Sequence, residues 1–290
     1  MAVSNPLPVP SLAHRLMRWL SMLVLAVSSL ELQAGQLAII IDDIGYNLDA
    51  GRRAADLSGD YTLAVLPFTP HGRELAERAY RRGKEIMLHA PMSNEQHLPL
   101  GKGGLESGMS RETFLQVLER NLADIPHVRG VNNHTGSQLT QEEEPMRWLM
   151  AELKQRGLYF VDSRTTAKTR AQAMAEAAGL PNRKRDVFLD DRPEPAHVAS
   201  QLELAMATAR RQGSAVAIGH PYPSTLAALE KIAPLLEKYA ITLVKASLLM
   251  PSSRPSVNAG QCLAPPLSLW AETPPLHDPF SLPPALKWLE

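Results

Sequence analysis

The sequence predicts an α/β protein whose parallel strands close, or nearly close, into a (β/α) barrel with its active site at the C-terminal strand ends. Three observations point there. Short apolar runs alternate with amphipathic stretches all the way from Gln36 to Met250. A repeated β-then-α order requires parallel strands joined by crossover helices. Seven or eight such units fit between residues 36 and 250, as a barrel needs. A doubly wound open sheet is the alternative.

The strands are expected at LAIII (37–41), TLAVL (62–66), EIMLH (85–89), VRGVN (128–132), LYFV (158–161), VFLD (187–190), AVAIG (215–219) and ITLV (241–244). Helical patterns lie between them. RETFLQVLERNL carries Phe114, Leu115, Leu118 and Leu122 at helical spacing. EPMRWLMAELKQRG and HVASQLELAMATARRQG close on Gly157 and Gly213, which suit the left-handed helix terminus. No glycine-rich phosphate motif follows the first strand, so nucleotide binding lacks its usual support.

The ends of the chain have other compositions. His14, Arg15 and Arg18 precede the apolar run Trp19–Leu30, and the small residue Ala34 follows. This pattern describes an export signal over residues 1–34, or an uncleaved N-terminal anchor, and places the protein in the periplasm or cell envelope. Residues 35–250 form the barrel domain. Residues 251–290 are rich in proline and serine and read as a flexible tail. That tail holds Cys262, the only cysteine, so no internal disulfide can form. Lys+Arg and Asp+Glu balance at 30 each, which excludes the basic footprint of a nucleic-acid binder. A polybasic run for a lipid surface is also absent.

Chemistry gathers at the predicted strand ends. QLAIIIDDIGYN runs from a buried strand into Asp42 and Asp43. His89 ends the third strand; Asn132, Asn133 and His134 end the fourth; Asp162, Ser163 and Arg164 follow the fifth. Asp190 and Asp191 end the sixth, and His220 follows the seventh. Two histidines and a carboxylate suit Zn²⁺ or another divalent transition metal. One aspartate of the opening pair is then ligand and the other base; the residues alone leave open which. His220 suits a general acid. Arg164 is placed to grip a carboxylate, or to pair with Asp162 or Asp190. Tyr46, Phe68 and Tyr222 are the aromatics near the rim. His97, His127, His197 and His277 are read as solvent-facing, and Asp49 and Asp56 as helix-surface residues.

In this order IIIDDIGYN, EIMLHAPM, GVNNHTGSQLT, FVDSRTT and AIGHPYPST resemble the divergent polysaccharide deacetylase family, a branch of the NodB-like carbohydrate esterases. The resemblance covers about residues 36–250. It implies a distorted (β/α) barrel of about seven strands and metal-dependent removal of acetyl groups from an acetylated polysaccharide or peptidoglycan-like glycan. Carried over, it makes Asp42 the general base and Asp43, His89 and His134 the metal ligands. It makes His220 the proton donor to the leaving group and Arg164 the residue that orients the base. Asn133, Asp162, Ser163 and Tyr222 then fall at the substrate. One departure matters. The family's H-[ST]-x-x-H pattern is replaced by HAPMSNEQH, with Met92 and Ser93 near that place, so the second histidine is taken from His134. Two other readings use the same rim. One is a catalytically silent glycan-binding or envelope scaffold. The other is a glycosidase pairing Asp42 or Asp43 with Asp162 or Asp190.

Overall fold

The computed structural model describes residues 34–251. The expected signal or anchor (save Ala34) and the expected tail with Cys262 and His277 (save Pro251) lie outside the described residues. Nine strands form one parallel sheet: β1 (Gly35–Ile44), β2 (Thr62–Val65), β3 (Glu85–Met92), β4 (Val128–Thr135), β5 (Tyr159–Asp162), β6 (Asn182–Lys184), β7 (Val187–Phe188), β8 (Ser214–Gly219) and β9 (Ile241–Leu243). The helices are α1 (Leu48–Asp56), α2 (Gly72–Arg81), α3 (Arg111–Asp124), α4 (Glu143–Gln155), α5 (Ala171–Ala178), α6 (Pro195–Gln212), α7 (Pro223–Leu229) and α8 (Ala233–Tyr239). None of these helices is long and apolar enough to cross a membrane.

Strand order settles barrel against open sheet. The path runs β6-β5-β4-β3-β2-β1-β8-β7, so β6 and β7 lie at opposite ends of it. Only Arg185 and Asp186 separate them in sequence. Arg185 N–H donates to Asp162 O at 2.9 Å on the β5 side, and Asp186 N–H donates to Val216 O at 2.8 Å on the β8 side. Two residues can bridge both edges only if the sheet curls until those edges meet. The expected barrel is therefore present, with a strand at each of the eight runs singled out in the sequence and one more. The added strand, Asn182–Lys184 at this seam, is short and carries no apolar run.

Alternation along the strands builds two cores. Leu37, Ile39 and Ile41 of β1 pack outward beneath the helices, with Leu63, Leu88 and Phe160. Ala38 and Ile40 point inward and meet Ala64, Met87, Val161, Val216 and Ile218. After β9 the chain turns across the N-terminal end of the barrel, where Val244, Ala246 and Leu249 join the inner core. Glu85 is buried at this floor. It accepts hydrogen bonds from Tyr159 Oη at 2.7 Å, Thr62 Oγ1 at 3.0 Å and Ser247 N at 3.1 Å. Burial, together with the Glu85 carboxylate, holds the Tyr159 hydroxyl well above its ordinary pKa.

Gly130 on β4 lies against the Tyr159 ring, and a Cβ added there would sit 2.4 Å from it. The ring is buried and tethered through its hydroxyl, so it has nowhere to move. Gly130→Ala is expected to destabilise the fold by about 2–3 kcal/mol, as overpacking does. Urea unfolding of the two proteins measures it, with the change carried by the midpoint rather than the slope.

Candidate active site

In a regular strand neighbouring side chains point to opposite faces, so one of Asp42 and Asp43 would be lost to the helix layer. The structure avoids this with a bulge. Ile41 pairs with Leu63 and Ile44 with Val65, so β1 takes three steps where β2 takes two. Asp43 adopts a left-handed backbone with φ +56°. Both carboxylates thereby line the mouth of the barrel.

Asn132 of β4 divides the pair. Its Nδ2 donates to Asp42 Oδ1 at 2.8 Å. Its Oδ1 then faces His89 Nδ1 at 2.7 Å, so that nitrogen carries the hydrogen. In neutral His89 the lone pair is left on Nε2. That atom lies 3.1 Å from Asp43 Oδ1 and 3.1 Å from His134 Nδ1. His134 Nδ1 is 2.8 Å from the same Asp43 oxygen. Three donor atoms from β1, β3 and β4 thus converge.

The convergence fits a shared divalent cation. Metal–ligand bonds of about 2.0–2.2 Å put neighbouring donor atoms about 2.8–3.1 Å apart at right angles and about 3.3–3.6 Å apart at tetrahedral angles; the three donors here lie 2.8–3.1 Å apart. Asp43 Oδ1, at the centre, is buried and has no hydrogen-bond donor among the described residues. An orphaned carboxylate oxygen between two imidazole nitrogens is what a cation site leaves when only the protein is considered.

Electrostatics separate the two aspartates. Burial pushes Asp42 above the usual carboxylate range, against the pull of His89, His220 and Asn132. Burial acts on Asp43 too, but the His134 and His89 rings outweigh it and hold the carboxyl well below that range. Burial opposes a charged His89; the Asp42 and Asp43 carboxylates prevail and push it up to about 9. Adjacent carboxylates with pKa values driven apart are suited to different tasks, Asp43 to permanent charge and Asp42 to proton transfer.

His220 stands across the pocket after β8. Its Nδ1 donates to Asp190 Oδ1 at 2.9 Å, while Asp190 Oδ2 accepts from His220 N at 2.6 Å and Thr225 Oγ1 at 2.7 Å. The ring cannot turn without breaking that grip, so Nε2 faces the pocket, 3.7 Å from Asp43 Oδ2. Burial works against the imidazolium, but the Asp190 hydrogen bond and the Asp42 and Asp43 charges raise its pKa. This is a histidine poised to give a proton near neutral pH.

The pocket between these groups has a volume of 420 Å³. Asp42, Asp43, His89, His134 and His220 all line it, as the motifs predict, and so do Asn133, Ser163 and Arg164. Tyr222 stands at its edge, with its ring 5.4 Å from that of His220. Other expectations need correction. Asp162 is buried beneath the loop that follows β5, accepting from Arg164 N at 2.8 Å and Thr169 Oγ1 at 2.9 Å. Asn133 accepts from Ser163 N at 2.9 Å and donates to Thr135 O at 2.7 Å. Both shape the loops of the mouth rather than offer free groups to a substrate. The ion pairs of Asp42, Asp43 and Asp190 all run to histidines, so Arg164 does not grip the base. The arginine that feels the Asp42 charge is Arg185, at the barrel seam, where burial outweighs that charge and lowers its pKa. With Asp162 and Asp190 committed, no second free carboxylate among the described residues faces Asp42 or Asp43 across the pocket, which removes the support for a glycosidase. His127 stacks on Tyr80 at 3.7 Å, and His197 lies between Asp191 and Arg192, so neither simply faces solvent.

Sequence reasoning missed the tasks of Asn132, Asp190, Arg185 and Phe188. Only the first left a usable signal: Asn132 and His134 are two apart on one strand and therefore share a face.

Residues 39–250 match the divergent polysaccharide deacetylase family. The uncharacterised protein YibQ of Escherichia coli K12 is 39% identical over 227 residues, 78% of this chain and 70% of YibQ. An uncharacterised protein of Haemophilus influenzae Rd is 35% identical over 203 residues, 70% of this chain and 72% of that one. Among solved structures, an uncharacterised protein of Agrobacterium tumefaciens C58 superposes with a TM-score of 0.72 at 25% identity, covering 75% of this chain and 89% of that one.

The Asp190–His220 pair makes a prediction of its own. His220 should titrate above its ordinary 6.5 in the metal-free protein. In Asp190→Asn the burial remains and the carboxylate is gone, so the midpoint should drop. A raised pKa adds stability that is complete below the ordinary value and fades as pH rises through the raised one; the variant should lose that component. NMR titration of the imidazole resonances reads the shift.

Proposed function

The chain belongs to the divergent polysaccharide deacetylase family, and from that premise we propose that it is a metal-dependent hydrolase removing acetyl groups from an envelope polysaccharide. The observation that carries this reading is the pairing of two devices in one pocket. Asp43, His89 and His134 bring three ligand atoms together, and Asp42 and His220 flank them with a base and an acid. The donor set suits zinc or another divalent transition metal. Once bound, such a cation polarises a carbonyl oxygen and acidifies water.

The chain's own residues do the rest. Asp42, raised by burial and held through one oxygen by Asn132, takes a proton from the attacking water. The water oxygen bonds to the acetyl carbon. As the C–N or C–O bond breaks, the departing sugar nitrogen or oxygen keeps the electron pair and takes a proton from His220 Nε2. Asp190 keeps the His220 ring aimed and stabilises its charge. Ser163 and Tyr222 lie where the sugar would rest. The basic flank and apolar run before Ala34 support export, and with it a periplasmic glycan such as peptidoglycan as substrate.

Metal analysis and acetate release on acetylated glycans test this together. About one zinc per chain is expected, lost in His134→Ala and kept in Asp42→Asn. Asp42→Asn should lower acetate release by about 10²- to 10⁴-fold. A protein that stays metal-free in excess zinc, or releases no acetate when loaded, would instead be a silent glycan-binding scaffold.

Loading itself should depend on pH. In the metal-free protein His89 is pushed up to about 9, so a cation must displace its proton at neutral pH. Apparent zinc affinity should therefore rise about tenfold per pH unit from neutrality and level off near pH 9. Calorimetry at pH 7 in buffers of different ionisation enthalpy should read about one proton released from His89.

A further inference from the structure

We propose that the substrate is an acidic glycan, whose carboxylate or phosphate, close to the acetyl group, is held by Arg164 and Arg185. The inference rests on the deacetylase reading and narrows it to a class of substrate.

Both arginines line the same wall of the pocket. Arg185 is fixed there. Its Nε donates to Ser163 O at 2.7 Å and its Nη2 to Arg164 O at 3.0 Å, and the guanidinium lies 4.4 Å over the Phe188 ring. Its Nη1 makes no hydrogen bond among the described residues. Arg164 follows Ser163 with a left-handed backbone, φ +52°, locked by the bond from its N–H to Asp162 Oδ1. The conformation carries the Arg164 side chain to the pocket, where it meets no carboxylate.

The two guanidinium groups are near enough to repel, and Arg164 is one of the influences that lower the pKa of Arg185, after burial. The acids around them are already engaged: Asp42 by Asn132, Asp43 by imidazoles, Asp190 by His220, Asp162 by its own loop. Beside them Ser163 Oγ is buried with no hydrogen-bond partner among the described residues. Paired guanidinium forks and a free hydroxyl match the planar oxygens of a carboxylate or phosphate. A divalent cation at the triad would add to the positive field on that side. Neutral sugar hydroxyls would leave Arg164 without an ion-pair partner among the described residues, and Arg185 with only the carboxylates of Asp42, Asp162 and Asp191, none of which bonds to it.

The test uses the full chain as Asp42→Asn, loaded with zinc and titrated by calorimetry with three acetylated oligosaccharides of equal length. One is neutral, one carries a carboxylate on alternate sugars, and one carries a phosphate. An acidic ligand should bind at least about tenfold more tightly than the neutral one, with the gap closing in high salt. Which acid wins identifies the group. Arg164→Gln should abolish most of the preference and Arg164→Lys should retain part of it. Equal affinities, or a preference that survives Arg164→Gln, would overturn the proposal. If no saccharide binds, the deacetylase reading fails separately. The anion site is then judged by inorganic sulfate alone: a shift of the arginine Nε resonances at millimolar sulfate supports it, and no shift overturns it.

Discussion

Two carboxylates on neighbouring residues repel, and burial strengthens the repulsion. At an effective dielectric constant of 20, unit charges about 4 Å apart cost about 4 kcal/mol. The bulge in β1 turns Asp42 and Asp43 to one mouth in spite of this. The rest of the site answers that constraint. Asn132 gives one carboxylate a neutral donor and orients His89 toward the other. Imidazoles approach Asp43 from β3, β4 and the end of β8. Removing the bulge would leave these histidines without the charge that organises them, even with every strand in place.

The barrel divides the labour between its ends. At the floor Glu85 is tied to the Tyr159 and Thr62 hydroxyls and to Ser247 N, so these buried polar groups satisfy one another. Positive φ occurs at both ends, at His127 and Ala240 just before β4 and β9 and at three residues of the mouth. Asp43, Thr135 and Arg164, at the ends of β1, β4 and β5, are all non-glycine residues with positive φ. Each costs about 1–3 kcal/mol, which the packed strands and helices beneath must offset. Positive φ reverses the facing that alternation along the strand would otherwise dictate.

That reversal explains what could be read in the sequence and what could not. Asp42, Asp43, His89, His134 and His220 each follow or end an apolar run, and strand ends in such folds gather at one rim. Their convergence was therefore legible. The fates of Asn133 and Asp162 were not. They are as polar as their neighbours, and only the backbone turns at Thr135 and Arg164 decide that they tie loops together. Arg185 was invisible for another reason. It lies between two strands of three and two residues, too short for any periodicity, and its importance comes from the seam they form. Asp190 shows itself only through His220, 30 residues away.

The place of β1 in the sheet has a consequence for how the chain must be born. Gln36–Ile41 pairs with Ser214–Gly219 along one side, and Gly35–Leu37 pairs with Ile241–Leu243 on the other. The first strand to appear is thus completed by the last two. A chain made N-terminus first can pair Ile40–Ile44 with Thr62–Val65 early, but the opposite edge of this apolar segment stays open until about two hundred further residues have arrived. Closing the barrel on the β8 side of β1 is thus a late, long-range step of folding.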